Sequence, residues 1–301
     1  MPKVSVVTAS YNYENYIKET IESVLAQTFQ DWEMIIVDDG STDKSVEVIE
    51  EYCQKDSRIK LYQHPNTENK GLAETLKLGI SKTSSDWVVF LESDDTITPD
   101  YIEKKLKIIE DYPSVDLIFN DVKMFGDKKI IKKYNKHFSK SHFMLSTVQC
   151  PAKIPHLFKD INVIPTFSAV MLNKNILNSL NWNSPIPKVL DYFLWSQLAS
   201  KYNFYYLNEK LTNWRMNQKS YINRDKVSRF NDLLFKLLLR QNLNNNSLMY
   251  NDFKDILQIT EKSIKKYEKY KTLYKAFNIV SILELLIVII LLGYYFYEVR
   301  F

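Results

Sequence analysis

Two acidic clusters stand at the ends of apolar runs, and both have the residue types for chemistry. Ile35-Ile36-Val37 leads into Asp38-Asp39-Gly40-Ser41-Thr42-Asp43, and Val88-Val89-Phe90-Leu91 leads into Glu92-Ser93-Asp94-Asp95. In an open α/β sheet, ligands bind beyond the carboxyl ends of the strands, so carboxylates at such ends point to a site and not into the core. Three carboxylates in four residues repel one another unless a cation neutralises them, and hard oxygen donors suit Mg²⁺ or Mn²⁺ carrying a diphosphate. Each cluster also has a plainer reading as an acidic surface turn, with Ser41 or Asp43 capping the following helix. Other chemistries lack their residues. His64, His137, His142 and His156 show no HExxH spacing, five glycines form no phosphate-cradling loop, and no serine-hydrolase elbow is present.

The elements that would carry these clusters follow from periodicity. A chain of 301 residues that is 45% hydrophobic and 25% charged has the material for a core, which excludes disorder and collagen-like structure. A net charge of +4 gives no reason to expect a nucleic-acid partner. Cys53 and Cys150 form neither a disulfide framework nor a CxxC pair, which fits a reducing compartment. Segments 4–7, 34–37, 59–62 and 87–91 read as buried strands alternating with helices, the signature of βαβ units. Tyr16, Ile17, Thr20, Ile21, Val24 and Leu25 share one helical face, and Val46, Ile49 and Cys53 share another. Thr98-Pro99 signals a helix start that runs to about residue 110. Residues 121–225 are less periodic, and Pro151, Pro155, Pro165, Pro185 and Pro187 argue against long helices in what reads as a second lobe. Helix resumes over 226–278, where Ile264, Tyr267, Tyr270, Tyr274 and Phe277 alternate with lysines in a basic amphipathic pattern.

Val6-Val7-Thr8-Ala9-Ser10-Tyr11-Asn12, Val37-Asp38-Asp39-Gly40-Ser41, Asn69-Lys70-Gly71 and Phe90-Leu91-Glu92-Ser93-Asp94-Asp95 resemble, in order and spacing, the family 2 inverting glycosyltransferases. The resemblance covers most of residues 1–120. It implies the GT-A fold, a Rossmann-like α/β architecture with a mostly parallel sheet flanked by helices. It also implies a nucleotide-sugar donor, usually a UDP-sugar, held in a lobe of residues 1–120, with an acceptor-binding lobe over 121–225. Donor contacts would come from Thr8, Ala9, Ser10, Tyr11, Asp38, Asp39, Asn69, Gly71, Glu92 and Ser93. Asp94, assisted by Asp95, would bind Mn²⁺ or Mg²⁺. Glu92 stands where the family usually has Asp, and Glu74-Thr75-Leu76-Lys77 replaces a stretch of small residues followed by Arg-Asn.

Further along, Val189-Leu190-Asp191-Tyr192-Phe193-Leu194-Trp195 resembles the family's acidic motif before a helix, in which the Asp is the catalytic base. An attacking hydroxyl must lose its proton, and a carboxylate within hydrogen-bond reach can take it. The alternative is that Asp191 caps the helix holding Phe193, Leu194 and Leu198. Asn213-Trp214-Arg215-Met216-Asn217 resembles the short strand whose Arg pairs with the donor diphosphate, with Asn217 where relatives often carry His. Trp182 and Trp195 are either acceptor-stacking faces or core.

The expected activity is a metal-dependent, hexosyltransferase-type transfer to a hydroxyl of a glycan or lipid-linked acceptor, in surface polysaccharide synthesis. The alternative is a non-catalytic nucleotide-sugar-binding or scaffold protein held at a membrane. From 279 to 297 the chain is apolar or aromatic except for Ser281, Glu284 and Gly293, long enough as a helix to span a bilayer's hydrocarbon layer. Lysines precede this run and Tyr294-Tyr295-Phe296-Tyr297 closes it, as positive-inside flanks and aromatic belts require. With no signal peptide at the N-terminus, the expectation is an inner- or plasma-membrane protein with its catalytic part in the cytoplasm. The competing reading of the tail is a buried oligomerisation helix.

Overall fold

The computed structural model describes residues 2–158, 161–184 and 186–217, together with Phe235 and Leu239, all within the unit Met1–Asn246. In chain order its elements are β1 (Val4–Ser10), α1 (Ile17–Leu25), β2 (Trp32–Asp38), α2 (Ser45–Lys55), β3 (Ile59–Gln63), α3 (Leu72–Lys82), β4 (Trp87–Phe90) and β5 (Thr96–Ile97). They continue with α4 (Tyr101–Asp111), β6 (Leu117–Gly126), α5 (Lys128–Leu145), β7 (Val170–Asn173), α6 (Leu190–Leu198) and β8 (Phe204–Met216).

One eight-stranded sheet holds the described residues together, in the order β3-β2-β1-β4-β7-β6-β8-β5. Strand alternation divides the core between its two faces. Val7, Ile35 and Val37 point to the face covered by Leu76 of α3 and by Leu190, Phe193, Leu194 and Leu198 of α6. Val4, Val6, Met34 and Ile36 point to the other, where Ile17, Ile21 and Val24 of α1, Ile49 of α2 and Tyr101, Ile102 and Leu106 of α4 pack. β2 is buried along its whole length, which explains the unbroken apolar run at 34–37 within it. α3 lies so close to β1 that a Cβ on Gly79 would stand 2.6 Å from Val7 Cγ1.

The sheet is mixed, with four parallel and three short antiparallel pairings. β3, β2, β1 and β4 run parallel, as do β6 and β8, whereas β7 is antiparallel to both β4 and β6, and β5 is antiparallel to β8. β7 spans four residues and β5 two, too short to show a period. β6 crosses residue 120, so no sheet boundary separates the segments on either side of that point. The prolines of 121–225 do not prevent a long helix either. α5 runs 18 residues and ends before the first of them, in a stretch the sequence leaves proline-free.

α4 starts two residues beyond the expected Thr98-Pro99 signal, with Asp100 at its cap position and the Thr98 hydroxyl donating to Asp100 Oδ1 at 2.6 Å. Among the described residues no helix is long and apolar enough to cross a membrane. The expected tail at 279–297 lies outside the described residues, as does the extension at 226–278 apart from Phe235 and Leu239. Phe235 is buried against Tyr192 and Phe193 of α6.

Candidate active site

The carboxyl ends of β1, β2 and β4 open on the same side because those strands are parallel and adjacent, and the start of α6 and the end of β8 join them there. A cavity of ≈ 310 Å³ lies at this convergence. Among its walls are Ala9, Ser10 and Tyr11 from β1 and its exit, Asp39 beyond β2, Asn69 and Gly71 before α3, and Glu92, Ser93 and Asp94 beyond β4. Asp191 from the first turn of α6 and Arg215 from β8 complete the set of expected residues in the wall. Segments separated by more than 200 residues in the chain thus share one cleft.

Thr8, Asp38 and Asp95, also expected as site residues, are fully buried and do not line the cavity. Thr8 lies inside β1. Asp38 closes the turn after β2, accepting from the backbone N–H groups of Gly40 (3.1 Å) and Ser41 (2.9 Å) and from the Ser41 hydroxyl. Asp95 ties three segments together. Its Oδ1 accepts from the Arg215 backbone N–H at 2.9 Å, and its Oδ2 accepts from the Ser168 hydroxyl at 2.7 Å and, more weakly, from Thr166 at 3.4 Å. Its carboxylate is therefore committed to protein donors, and Asp94 is the aspartate of the pair that faces the cavity.

Asp39 also works within the fold. Its two oxygens accept from the backbone N–H groups of Lys70 (2.7 Å) and Gly71 (3.0 Å), which hangs the loop before α3 on the end of β2. Gly71, at φ 82, takes a left-handed conformation that suits a residue without a Cβ. The Ser10 hydroxyl is buried at the wall without a hydrogen-bond partner, an orphan that a ligand's polar atom would satisfy. Arg215 is clamped: its guanidinium lies over the rings of Phe125 (4.4 Å) and Tyr16 (4.8 Å), while Nε donates to the Asp94 carbonyl at 2.8 Å and Nη2 to Glu19.

The electrostatics are those of crowded, poorly hydrated carboxylates. Burial, followed by the charge of Glu92, pushes Asp94 up to about 7. Burial, followed by the charges of Asp94 and Glu92, raises Asp95, and burial raises Glu92. Asp191 is also pushed up to about 7, first by burial and then by the charge of Glu92, although its side chain opens partly onto the cavity. Among the described residues no three His, Cys, Asp or Glu side chains cluster into a self-sufficient metal site. The donor set nonetheless fits Mg²⁺ or Mn²⁺, since such ions are commonly held by one or two carboxylates with phosphate and water completing the shell. Asp94 would be the protein's ligand. A cation there would offset the repulsion that raises these groups.

Several residues that matter to the site are not evident in the sequence. The Thr166 hydroxyl donates to Glu92, Ser168 Oγ accepts from the Glu92 backbone N–H at 3.0 Å, and Asn162 Nδ2 donates to Asp191 Oδ2 at 2.8 Å. These partners lie 29 to 76 residues away, and no local spacing could reveal them. Asn217 donates to Asp94 Oδ2 at 3.2 Å. Trp195 is fully buried against Phe90 and Phe167 and so belongs to the core, and Trp182 packs on that core too; the tryptophan in the cavity wall is Trp214.

Known proteins similar to this chain are glycosyltransferases. An uncharacterized glycosyltransferase of Haemophilus influenzae is 38% identical over 140 residues, which is 44% of this chain and 55% of that one, so the chain spans about half of that relative's length. An uncharacterized glycosyltransferase of Methanocaldococcus jannaschii is 30% identical over 230 residues, 75% of each chain. Among solved structures, S. aureus TarS 1-349 in complex with UDP-GlcNAc superposes with a TM-score of 0.61 at 18% identity, covering 82% of this chain and 68% of that one. The mannosyltransferase PcManGT of Pyrobaculum calidifontis, in complex with GDP-Man and Mn²⁺, gives 0.59 at 16% identity, covering 85% and 68%. Identities this low speak for a shared fold. The description Glycosyl transferase family 2 matches residues 5–176, more than half of the sequence and every cavity-forming strand except β8. The chain belongs to glycosyl transferase family 2.

Proposed function

We propose that the protein is an inverting, cation-dependent hexosyltransferase that moves a sugar from a UDP-sugar to a hydroxyl of a glycan or lipid-linked acceptor in surface polysaccharide synthesis. One observation carries this reading: Asp94 and Asp191 face a common cavity, each buried enough to be pushed up to about 7. The first suits a cation site and the second a base near neutral pH. The nucleotide-sugar complexes of TarS and of the Pyrobaculum mannosyltransferase, the latter with Mn²⁺, support the donor class and the cation.

In this mechanism Asp191, oriented by Asn162, takes the proton of the acceptor hydroxyl as that oxygen attacks the anomeric carbon. The sugar–phosphate bond breaks as the new glycosidic bond forms on the opposite face, so the configuration inverts. Mn²⁺ or Mg²⁺ at Asp94 would supply positive charge against the departing diphosphate. Arg215, rigid between Tyr16 and Phe125, adds its charge beside Asp94, while Ser10 and Tyr11 offer the donor a hydroxyl and an aromatic face. The apolar run 279–297 is proposed as an inner- or plasma-membrane anchor that leaves this site on the cytoplasmic side.

The Asp191→Asn variant tests the assignment. Turnover is expected to fall about 10²- to 10⁴-fold while UDP binding persists. Unchanged turnover would remove Asp191 from the mechanism.

A further inference from the structure

Two of the lysines of α4 behave as surface lysines do. Lys104 and Lys107 reach Asp100 and Asp111 one turn away, at 2.7 Å and 3.5 Å. Lys105 instead lies on the helix face that carries Tyr101, Ile102 and Leu106, and it is fully buried. Among the described residues its hydrogen-bond partners are the Tyr101 hydroxyl (2.8 Å) and the Ala169 carbonyl (2.7 Å), and neither is an acid. Burial without a counter-charge holds its pKa well below the usual lysine range. A methionine would fill much the same space without burying an amine, so what the amine adds at this position is its two hydrogen bonds.

Both bonds lead to one short segment. Tyr101 stands four residues before Lys105, so the two side chains are neighbours on the helix and meet at their polar ends. The Tyr101 hydroxyl in turn donates to the carbonyls of Ser168 (3.0 Å) and Val170 (3.3 Å), while Lys105 takes the Ala169 carbonyl between them. Three successive carbonyls, 168–170, are therefore held from α4. Thr212 of β8 adds its hydroxyl to the Ser168 carbonyl at 3.0 Å. Tyr101, Lys105, Ser168 and Ala169 are all fully buried, so water cannot make up a bond that is lost here.

The same segment grips the acidic loop after β4. Ser168 Oγ donates to Asp95 Oδ2 at 2.7 Å and accepts from the Glu92 backbone N–H at 3.0 Å, and the Thr166 hydroxyl donates to the Glu92 carboxylate. Asp94 lies between these two anchored residues and lines the cavity, as do Thr166 and Phe167; Lys105 and Tyr101 do not. A chain of direct contacts thus runs from the amine on α4, through the backbone of 168–170, to the residues on either side of the candidate cation ligand.

We propose that Lys105 is a positioning residue for the cation site: with Tyr101 it fixes the turn Phe167–Ala169, and through Ser168 that turn sets where Asp94 stands. This deepens the proposed function and rests on it for the cation. Removing the amine leaves the Ala169 carbonyl unpaired in a dry core, and the turn regains a partner only by shifting, which carries Ser168 and the loop 92–95 with it. Asp39, tied to the backbone of Lys70 and Gly71, makes none of these bonds, so nucleotide binding that does not use the cation stays as it is.

Calorimetric titration of the full chain with UDP, with and without Mn²⁺, tests this role without measuring turnover. Four proteins are compared: the wild type, Lys105→Met, Tyr101→Phe and the double variant. The wild type is expected to bind UDP about 10-fold more tightly when Mn²⁺ is present. In each single variant that gain should shrink to about 2-fold or less, while the cation-free affinity stays within about 2-fold of wild type and shows that the variant is folded. Because Lys105 and Tyr101 act on one segment, the double variant should lose no more than either single one.

A folded Lys105→Met or Tyr101→Phe that kept the full Mn²⁺ gain would overturn the proposal, as would losses that add in the double variant. So would a fall in cation-free affinity as large as the fall in the gain, the mark of a merely structural residue. Should Lys105→Met fail to fold, Tyr101→Phe decides alone. A wild type that gained nothing from Mn²⁺ would contradict the cation reading itself, and the role of Lys105 would fall with it, whereas a gain seen in the wild type and kept in the variants counts against Lys105 only.

Discussion

As the proposed base, Asp191 combines two demands that conflict. A base must be ionised, yet burial and the charge of Glu92 push this carboxyl to about 7 from an ordinary value of 3.8. A carboxyl raised on folding favours the protonated fold, so the stability it contributes is present at low pH and is lost as pH rises from 3.8 through about 7. At pH 8 the charged form weakens the folded state, and Asp191→Asn should therefore melt higher than wild type even as it loses turnover. A gain of roughly 2–4 °C is expected, what about 1 kcal/mol is worth in a chain of this size. The same shift gives kcat/KM an acidic limb near 7, with activity rising as the proton leaves. Asp94 titrates in the same range, so the limb at low Mn²⁺ belongs to both groups. Saturating Mn²⁺ should displace the proton from Asp94 and leave a single-proton limb that disappears in Asp191→Asn. Asp94 was legible in the sequence within a cluster of three carboxylates, and Asp191 through the resemblance of its segment to a family motif. Thr166 and Asn162 were not, since what makes them matter is contact across the fold.

At the scale of elements, the acidic loop after β4 is held by a buttress from the far side of the sheet. Lys105 of α4 is fully buried, and its Nζ donates to the Tyr101 hydroxyl (2.8 Å) and to the Ala169 carbonyl (2.7 Å). Ala169 ends the short turn Phe167–Ala169, whose Ser168 grips both Asp95 and the Glu92 backbone. The other wall depends on how tightly α3 seats on β1. A methyl at Gly79 would meet Val7 Cγ1 at 2.6 Å, and Val7, β-branched and fixed in a central strand, has little room to move. Gly79→Ala is expected to cost about 1–3 kcal/mol in denaturant unfolding, with the m-value unchanged. β1, β2, β4 and α1 were readable because burial on a parallel sheet leaves apolar runs and because α1 shows a clean helical face. β5 and β7 owe their existence to pairing with β8, β4 and β6, which local sequence does not encode. α5 was obscured by reading the prolines after residue 150 as a property of the whole segment.

For the whole molecule, the described residues form one mixed sheet whose β1, β2 and β4 ends carry the cavity's acidic residues and whose β8 brings Arg215, and Asn217 just past its end, to the same opening. The sequence also bears a segment, 279–297, with the length and composition of a membrane span. Carbonate extraction is expected to leave the full chain in the membrane fraction and to release a chain ending at Lys275; a freely soluble monomer of the full chain would refute the anchor. The central claim, that carboxylates from separate segments serve one cation-bearing sugar nucleotide, is tested most directly by calorimetric titration of a panel of nucleotide sugars with and without Mn²⁺. At least one should bind the wild type more tightly with Mn²⁺, by about 10-fold, and Asp94→Asn should abolish that gain while keeping the cation-free affinity. Binding that ignored both Mn²⁺ and Asp94 across the whole panel would contradict the account.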